Sequence, residues 1–394
     1  MLVKQVATFV NDAIKQVVGT EAALLTEDLS NVVAVGTAVF NATSYDKFTK
    51  ALVDRIGKTI FVDRKYEGIA PSVIYDGFEY GAVLEKIGGD IPEATENETW
   101  DLVGGQSYDP NVFYAPSVYA KFYNHYITFE IPLSVTDKQA KSAFSNAQEL
   151  TRFVSMLFGN VDKALSLAME SLVMRTINGA VAETIYAEYG AADYGASSKV
   201  KARNLLAEWN AKLGAGNEIT AKAALEDKAF IRFASVEIMK VATRLKKMST
   251  LFNVGGKKRF TPMDKLKIVL HGDFEAAATG YLYSDTFHED YVKLPKADIV
   301  PFWQGSGNDY DFDVSSEIKV NLPSDATKTV DVKGVIGVLF DEEALGVLNF
   351  ERYTTSDYNG KAEFTNYWHK QKSCHFIDMN ENIVVFFLQE KAGA

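Results

Sequence analysis

The side chains that could do chemistry in this chain are spaced against doing it. A helical zinc site needs a second histidine four residues after a His-Glu pair; His288 is followed by Glu289, but position 292 is Val. The other histidines, His125, His271, His369 and His375, share no ligand spacing, so each reads as a packed or exposed structural residue. Gly57-Lys58-Thr59 ends like a phosphate loop, yet the glycine required five residues earlier is Leu52. Gly305-Ser306-Gly307 has the small residues of a nucleophile elbow without its spacing. Asp309, Asp311 and Asp313 alternate as in a calcium loop, which would also need Gly at 314 and an acid at 320; both are Val, and an amphipathic strand fits better. Carboxylates are plentiful, but sequence alone cannot pair them. No catalytic, cofactor or metal constellation emerges.

Bulk composition points the same way. With 394 residues, 47% hydrophobic and 24% charged, the chain can bury a sizeable core and divide into two or three domains. A net charge of -11 argues against tight nucleic-acid binding, which depends on Lys and Arg neutralising phosphates. The most basic stretch, Lys240, Arg244, Lys246 and Lys247 with Lys257, Lys258 and Arg259 beyond, reads first as a solvated helix end and second as an anion contact. Cys374 is the single cysteine, which excludes an internal disulfide and a cysteine-rich zinc site. No apolar run reaches the ~18 residues of a membrane span, and the first 19 residues lack the apolar core of a signal peptide; a soluble, cytoplasmic product is expected. The 19 Tyr and 25 Phe call for contact surfaces.

The elements that would position any site centre on residues 146–187. Leu150, Phe153, Leu157, Val161, Leu165 and Leu172 fall at spacings that line one face of a helix, and Ser145 or Asn146 can cap its start. Continuous through Gly159, such a helix would be on the order of 60 Å long. Before it, residues 1–18 and 45–56 read as amphipathic helices, and 21–42, without a clear period, as an arm. Residues 60–62, 78–87 and 117–131 read as strands, the last with aromatics on both faces, separated by a long acidic loop. Such faces are covered on both sides or lie on another molecule; Tyr119, Tyr123, Phe129, Trp100 and Phe9 are the candidate inter-subunit contacts. Further on, helices are expected at 205–213, 233–251 and 274–283, strands at 267–271 and 335–340, a short helix at 341–345, and a closing hairpin of 367–376 with 383–388.

This order of elements resembles the major capsid proteins of tailed phages, the Hong Kong 97-type shell fold. The likeness is carried by residues 48–57, by Lys267-Ile268-Val269-Leu270-His271-Gly272-Asp273-Phe274, by residues 334–346 and by Tyr367-Trp368-His369 leading to 383–388. It implies an α+β fold with an N-terminal arm (1–57), an extended β-hairpin loop (58–135), a peripheral domain with a long spine helix (136–190, rejoined by 351–394) and an axial domain (191–350). It also implies a structural subunit, not an enzyme, that forms pentamers and hexamers of an icosahedral virion shell around double-stranded DNA, with a scaffolding protein and a portal, assembled in a bacterial cytoplasm. No cofactor and no membrane are implied. The same fold builds bacterial protein nanocompartments, a second reading, and a soluble enzyme with a carboxylate-based site is a third.

Overall fold

The computed structural model describes residues 3–19, 22–43, 45–58, 70–76, 84–89, 94, 102–109, 111, 113–115, 117–123, 126–283, 297–303 and 317–391. In chain order the elements are α1 (Val3–Val17), α2 (Val32–Ala42), α3 (Tyr45–Lys58), β1 (Ile74–Asp76), β2 (Leu84–Gly89), β3 (Val118–Tyr123), β4 (Tyr126–Thr136), α4 (Asp137–Ala143) and α5 (Ala147–Tyr189). Then follow β5 (Ala202–Asn204), α6 (Leu205–Leu213), α7 (Ala221–Glu226), α8 (Lys228–Arg244), β6 (Leu266–His271), α9 (Gly272–Tyr283) and β7 (Asp298–Val300). The chain closes with β8 (Ile318–Asn321), β9 (Thr329–Val332), β10 (Val335–Asp341), β11 (Leu345–Asn359), β12 (Phe364–Ile377) and β13 (Ile383–Phe387). Two compact units result, and the division between them falls inside α5, between Arg175 and Thr176.

The first unit comprises Met1–Gly81, Tyr126–Arg175 and Val347–His375. Its α5 segment starts where a cap is available: Asn146 Oδ1 accepts the Glu149 N–H at 2.9 Å, which satisfies one of the orphan donors of the first turn. Leu150, Phe153, Leu157 and Val161 are buried in one core with Val10 and Ile14 of α1 and Leu52 of α3, while Leu165 packs on it partly exposed. The helix continues through Gly159. Residues 21–42 are not an irregular arm throughout, since 32–42 form α2. Its run of Val and Ala shows no period, but Val32, Val35 and Val39 are buried, and Gly36 lies against Phe144 so closely that a Cβ there would meet that side chain at 2.7–2.9 Å. Phe40, Phe48 and Phe144 meet edge to face with centroids 5.0–5.5 Å apart, an arrangement favoured by the ring quadrupoles.

The unit's four-stranded sheet has the order β1-β11-β12-β4, with β1 parallel to β11 and β12 antiparallel to β4 from Phe364↔Thr136 to Cys374↔Tyr126. The expected single strand at 117–131 is therefore two strands with different partners, β3 with β2 and β4 with β12. The buried positions of β12 are unusually polar: Thr365, His369, Gln371 and Ser373. Each found partner offsets desolvation; Gln371 donates to Asn349 Oδ1 at 2.7 Å, as does Ser373 at 3.1 Å. Cys374 is buried on the same strand, and burial pushes its thiol up.

His369 lies 3.1 Å from the Thr354 hydroxyl, and burial pushes its imidazole down to about 4. An unfolded chain takes up that proton near ~6.5, so stability is expected to fall as pH drops from there towards the folded value, by about 1.4 kcal/mol per pH unit at most. Denaturant midpoints measured across this window should flatten in a His369→Gln chain; parallel profiles would contradict the assignment.

The second unit comprises Ala82–His125, Thr176–Gly346 and Phe376–Ala394. Its five-stranded sheet, order β5-β13-β10-β6-β7, has β10 and β13 buried at every position, as expected for central strands covered on both faces. The closing hairpin expected from the sequence does not form: β13 pairs antiparallel with β10 and parallel with β5, and β12 pairs with β4. Nor is 341–345 a helix. Asp341 ends β10, a turn is closed by the Ala344 N–H on the Asp341 carbonyl at 2.8 Å, and β11 begins at Leu345. The helix expected at 233–251 runs earlier, from Lys228, because Asp227 caps it by accepting the Ala229 N–H at 2.8 Å. Phe230, Ile231, Ile238 and Val241 of α8 join Leu270, Phe274, Leu339 and Phe386 in the core. The 176–185 part of α5 is buried almost all round, and Gly179 admits Pro323 and Ile377 where a Cβ would meet them at 2.9 and 3.1 Å.

Candidate functional site

Within the second unit β2 and β3 form a two-stranded antiparallel ribbon, with Lys86 opposite Lys121 and Gly88 opposite Tyr119. Alternation puts Lys86, Tyr119, Lys121 and Tyr123 on one half-buried face and Ile87, Val118 and Phe122 on the other, open face. The half-buried face is held by charge. Asp378, fully buried in the loop between β12 and β13, accepts the Lys121 ammonium at 2.7 Å and lies 3.2 Å from that of Lys86. Glu381 accepts Lys86 at 2.8 Å and the Arg259 Nε–H at 3.0 Å; Glu343 adds a carboxylate 3.2 Å from Lys86. Arg259 also donates to the Tyr119 hydroxyl, and Tyr123 packs on Phe376 with centroids 5.4 Å apart.

The protonation states follow from this geometry. Burial would raise the Asp378 carboxyl, but the Lys121 bond, the Asn380 N–H and the Lys86 charge together hold it below the usual carboxylate range. Burial would lower the Lys86 ammonium, and the bond and charge of Glu381 with the charge of Asp378 raise it instead. Burial, then the Asp378 charge, push the Tyr123 phenol up, so it stays neutral. Three cations, Lys86, Lys121 and Arg259, and three carboxylates, Asp378, Glu381 and Glu343, thus lie near each other and compensate one another, the condition under which burying charge is tolerable. This is an anchor rather than a reaction centre. Among the described residues no group of three or more His, Cys, Asp or Glu is placed to hold a metal ion, and no helix is long and apolar enough to cross a membrane.

The open face is the opposite in character. Ile87 is 67% and Phe122 61% exposed, and beyond the ribbon Phe113 and Tyr114 reach 85% and 84%. Bulky apolar groups left in water on one side of a ribbon mark a contact surface. In the first unit, a groove of about 550 Å³ runs between β4 and α5, lined by Phe129, Ile131, Leu133, Val161, Ala164 and Leu167. There β4 is the edge strand of its sheet.

Against this geometry the five candidate contact residues separate. Tyr119 and Tyr123 face their own chain's charged anchor, Phe9 is buried and stacked on Phe158 at 6.2 Å, Phe129 lines the groove, and Trp100 lies outside the described residues. Of the histidines, His125 and His288 also lie outside them, as do the strand expected at 60–62, Gly305-Ser306-Gly307 and the aspartates at 309–313. The anchor itself escaped the sequence reading, which took 378–382 for a hairpin turn. The available signal was Lys121 between Tyr119 and Tyr123: a cation on the inward side of a strand needs an acid to meet it.

The fold is similar to that in the capsid structure of Staphylococcus phage Andhra, at 9% identity over 82% of this chain and 84% of that chain, with a TM-score of 0.51. It is also similar to a chain in a structure of native bacteriophage P68 described by its head fiber and inner core protein gp22, at 10% identity over 80% of this chain and 83% of that chain, TM-score 0.50. No curated protein matches the chain. The Phi29-like phage major capsid protein family matches residues 7–387, and the chain belongs to that family. It is a structural shell protein of the virion capsid, not an enzyme.

Proposed function

We propose that the chain assembles as pentamers and hexamers into an icosahedral shell around double-stranded DNA, in the host cytoplasm, with a scaffolding protein and a portal. The observation that carries this reading is the ribbon. One of its faces is locked to its own unit by buried ion pairs while the other leaves Ile87, Val118 and Phe122 in water. Membership of the capsid family supplies the partner, further copies of the chain. In this reading 1–57 is the arm, 58–135 the extended loop, 136–190 with 351–394 the peripheral domain and 191–350 the axial domain. Phe129 and Trp100 meet neighbours; Tyr119 and Tyr123 serve that contact from behind, by fixing the ribbon. The net charge of -11 keeps packaged DNA from adhering to the wall.

The test is assembly of the purified full chain with the scaffolding protein encoded beside it, followed by sedimentation and negative-stain microscopy. Closed shells are expected. Monomers that persist at high concentration with scaffold present would overturn the proposal.

A further inference from the structure

Asparagine is followed by glycine twice in this sequence, at Asn178-Gly179 and at Asn359-Gly360. That dipeptide is the one most open to attack of the chain on its own side-chain amide, because glycine leaves its backbone nitrogen unshielded and the backbone free to bend. The fold treats the two pairs in opposite ways. Asn178 lies within α5 and is fully buried, and Gly179 is closed in by Pro323 and Ile377. Helical geometry there keeps the Gly179 nitrogen turned away from the Asn178 side chain. Asn359 ends β11 at the tip where the chain turns into β12, and it and residues 360–363 are exposed.

The local geometry of this tip favours the reaction. Asn359 Oδ1 accepts the N–H groups of Lys361 at 3.1 Å and of Ala362 at 3.2 Å. These donors polarise the amide carbonyl, and they are aimed at the oxygen on which negative charge develops when its carbon is attacked. Nor does the fold demand glycine at 360. The left-handed residue of the turn is Glu363, with φ 53°; Gly360 is not left-handed, and beyond its chain neighbours a Cβ on it would meet nothing nearer than Tyr358 Cε1 at 3.7 Å. Asp137 pins both flanks, accepting the Tyr358 hydroxyl at 2.9 Å and donating its N–H to the Glu363 carbonyl at 3.0 Å. An ordinary residue would fit at 360, yet the one that leaves Asn359 open to attack stands there.

We propose that Asn359 is a site of spontaneous deamidation, which turns the neutral hairpin tip into an anionic one. The Gly360 backbone nitrogen gives up its proton to solvent and bonds to Asn359 Cγ. The bond from Cγ to the side-chain nitrogen breaks, and that nitrogen leaves as ammonia with a proton from water. The cyclic succinimide that results takes up one water. Opening at the Cγ carbonyl leaves aspartate at this position; opening at the main-chain carbonyl leaves isoaspartate, whose backbone is one carbon longer between the pinned flanks. No oxidant, metal or enzyme is required, and each event adds one negative charge to a chain of net charge -11.

The test holds the purified full chain in mildly alkaline buffer, folded in one sample and in denaturant in another, and follows two tryptic peptides by mass spectrometry. Residues 353–361 and 176–199 each contain a single asparagine and no glutamine, so the mass gain of amide-to-carboxyl exchange reports Asn359 and Asn178 separately. In the folded chain Asn359 is expected to convert at least about tenfold faster than Asn178, which must wait for α5 to open. In denaturant the two rates should converge. Enzymatic methylation of isoaspartate is expected to label the 353–361 peptide of the aged chain. A Gly360→Ala chain, folded as judged by circular dichroism, should lose most of the conversion. An Asn359 that keeps its amide in the folded chain, equal rates at the two sites while the chain is folded, or undiminished conversion in Gly360→Ala would each overturn the proposal.

Discussion

A Leu157→Asp chain is expected to yield no folded, soluble subunit. Leu157 is fully buried in the first unit's core, beside Val154 and Val161 on α5. Removing a leucine there costs about 2–5 kcal/mol in lost burial and cavity, before the charge is counted. A carboxylate with no partner adds several kcal/mol more, whether it stays ionised or takes up a proton. The sum reaches the ~5–15 kcal/mol that holds a typical domain folded, so unfolding rather than a lowered melting temperature is the expected result. Leu167→Asp provides the control on the same helix, since Leu167 is exposed at the groove and its substitution should leave the fold intact. Soluble fraction, circular dichroism and gel filtration of the two chains decide the matter; a Leu157→Asp chain that melts like the unsubstituted one would contradict this account of the core.

Asp378→Ala should free the ribbon without unfolding the sheet beneath it. Deletion of one partner from a buried ion pair costs about 3–5 kcal/mol, and the lower end applies because Lys121 is partly exposed and can turn to water while Lys86 keeps Glu381. The readout is protease sensitivity at Lys86 and Lys121, expected to rise by at least about tenfold, alongside a loss of assembly competence. Acid should imitate the substitution. Asp378 has a depressed folded pKa, so the stability it contributes is present above its unfolded value of ~3.9 and lost as pH falls through the folded one. Lys86 has a raised folded pKa, so its contribution is complete below ~10.4 and lost only as pH rises beyond that. The contributions of Asp378 and Lys86 are therefore both present at neutral pH, the first lost in acid and the second only in strong base. Equal ribbon cleavage in the two chains at neutral pH would show that the anchor does not hold it.

The long helix was legible because two independent local signals agreed, an apolar stripe and a side-chain cap at Asn146. The central strands at 267–271 and 335–340 were legible because continuous apolar runs have few other uses. Pairing was not. Residues 367–376 and 383–388 look like a hairpin because a short stretch with four polar residues, Asp378, Asn380, Glu381 and Asn382, separates them, yet strand partners are set by contacts far apart in sequence, and each strand completes a different sheet. The α2 helix was missed for a related reason: Val and Gly are poor helix formers, and only the apolar surfaces around Val32, Val35 and Val39 make the helix the better choice. Beyond the hint of Lys121 between two tyrosines, the anchor's partners could not be read, because Lys86, Arg259 and Asp378 stand far apart along the chain and only folding brings them together.

Cys374 has a meaning at the scale of the particle. In a shell made of many copies, every accessible thiol would be a point where neighbouring particles could be stapled together or a subunit slowly aged. This sequence has one thiol per copy, sealed inside β12 and kept in its unreactive protonated form by burial. Oxidative wear therefore falls on exposed thioethers such as Met156, Met248 and Met263, whose damage adds one oxygen and forms no bond between subunits.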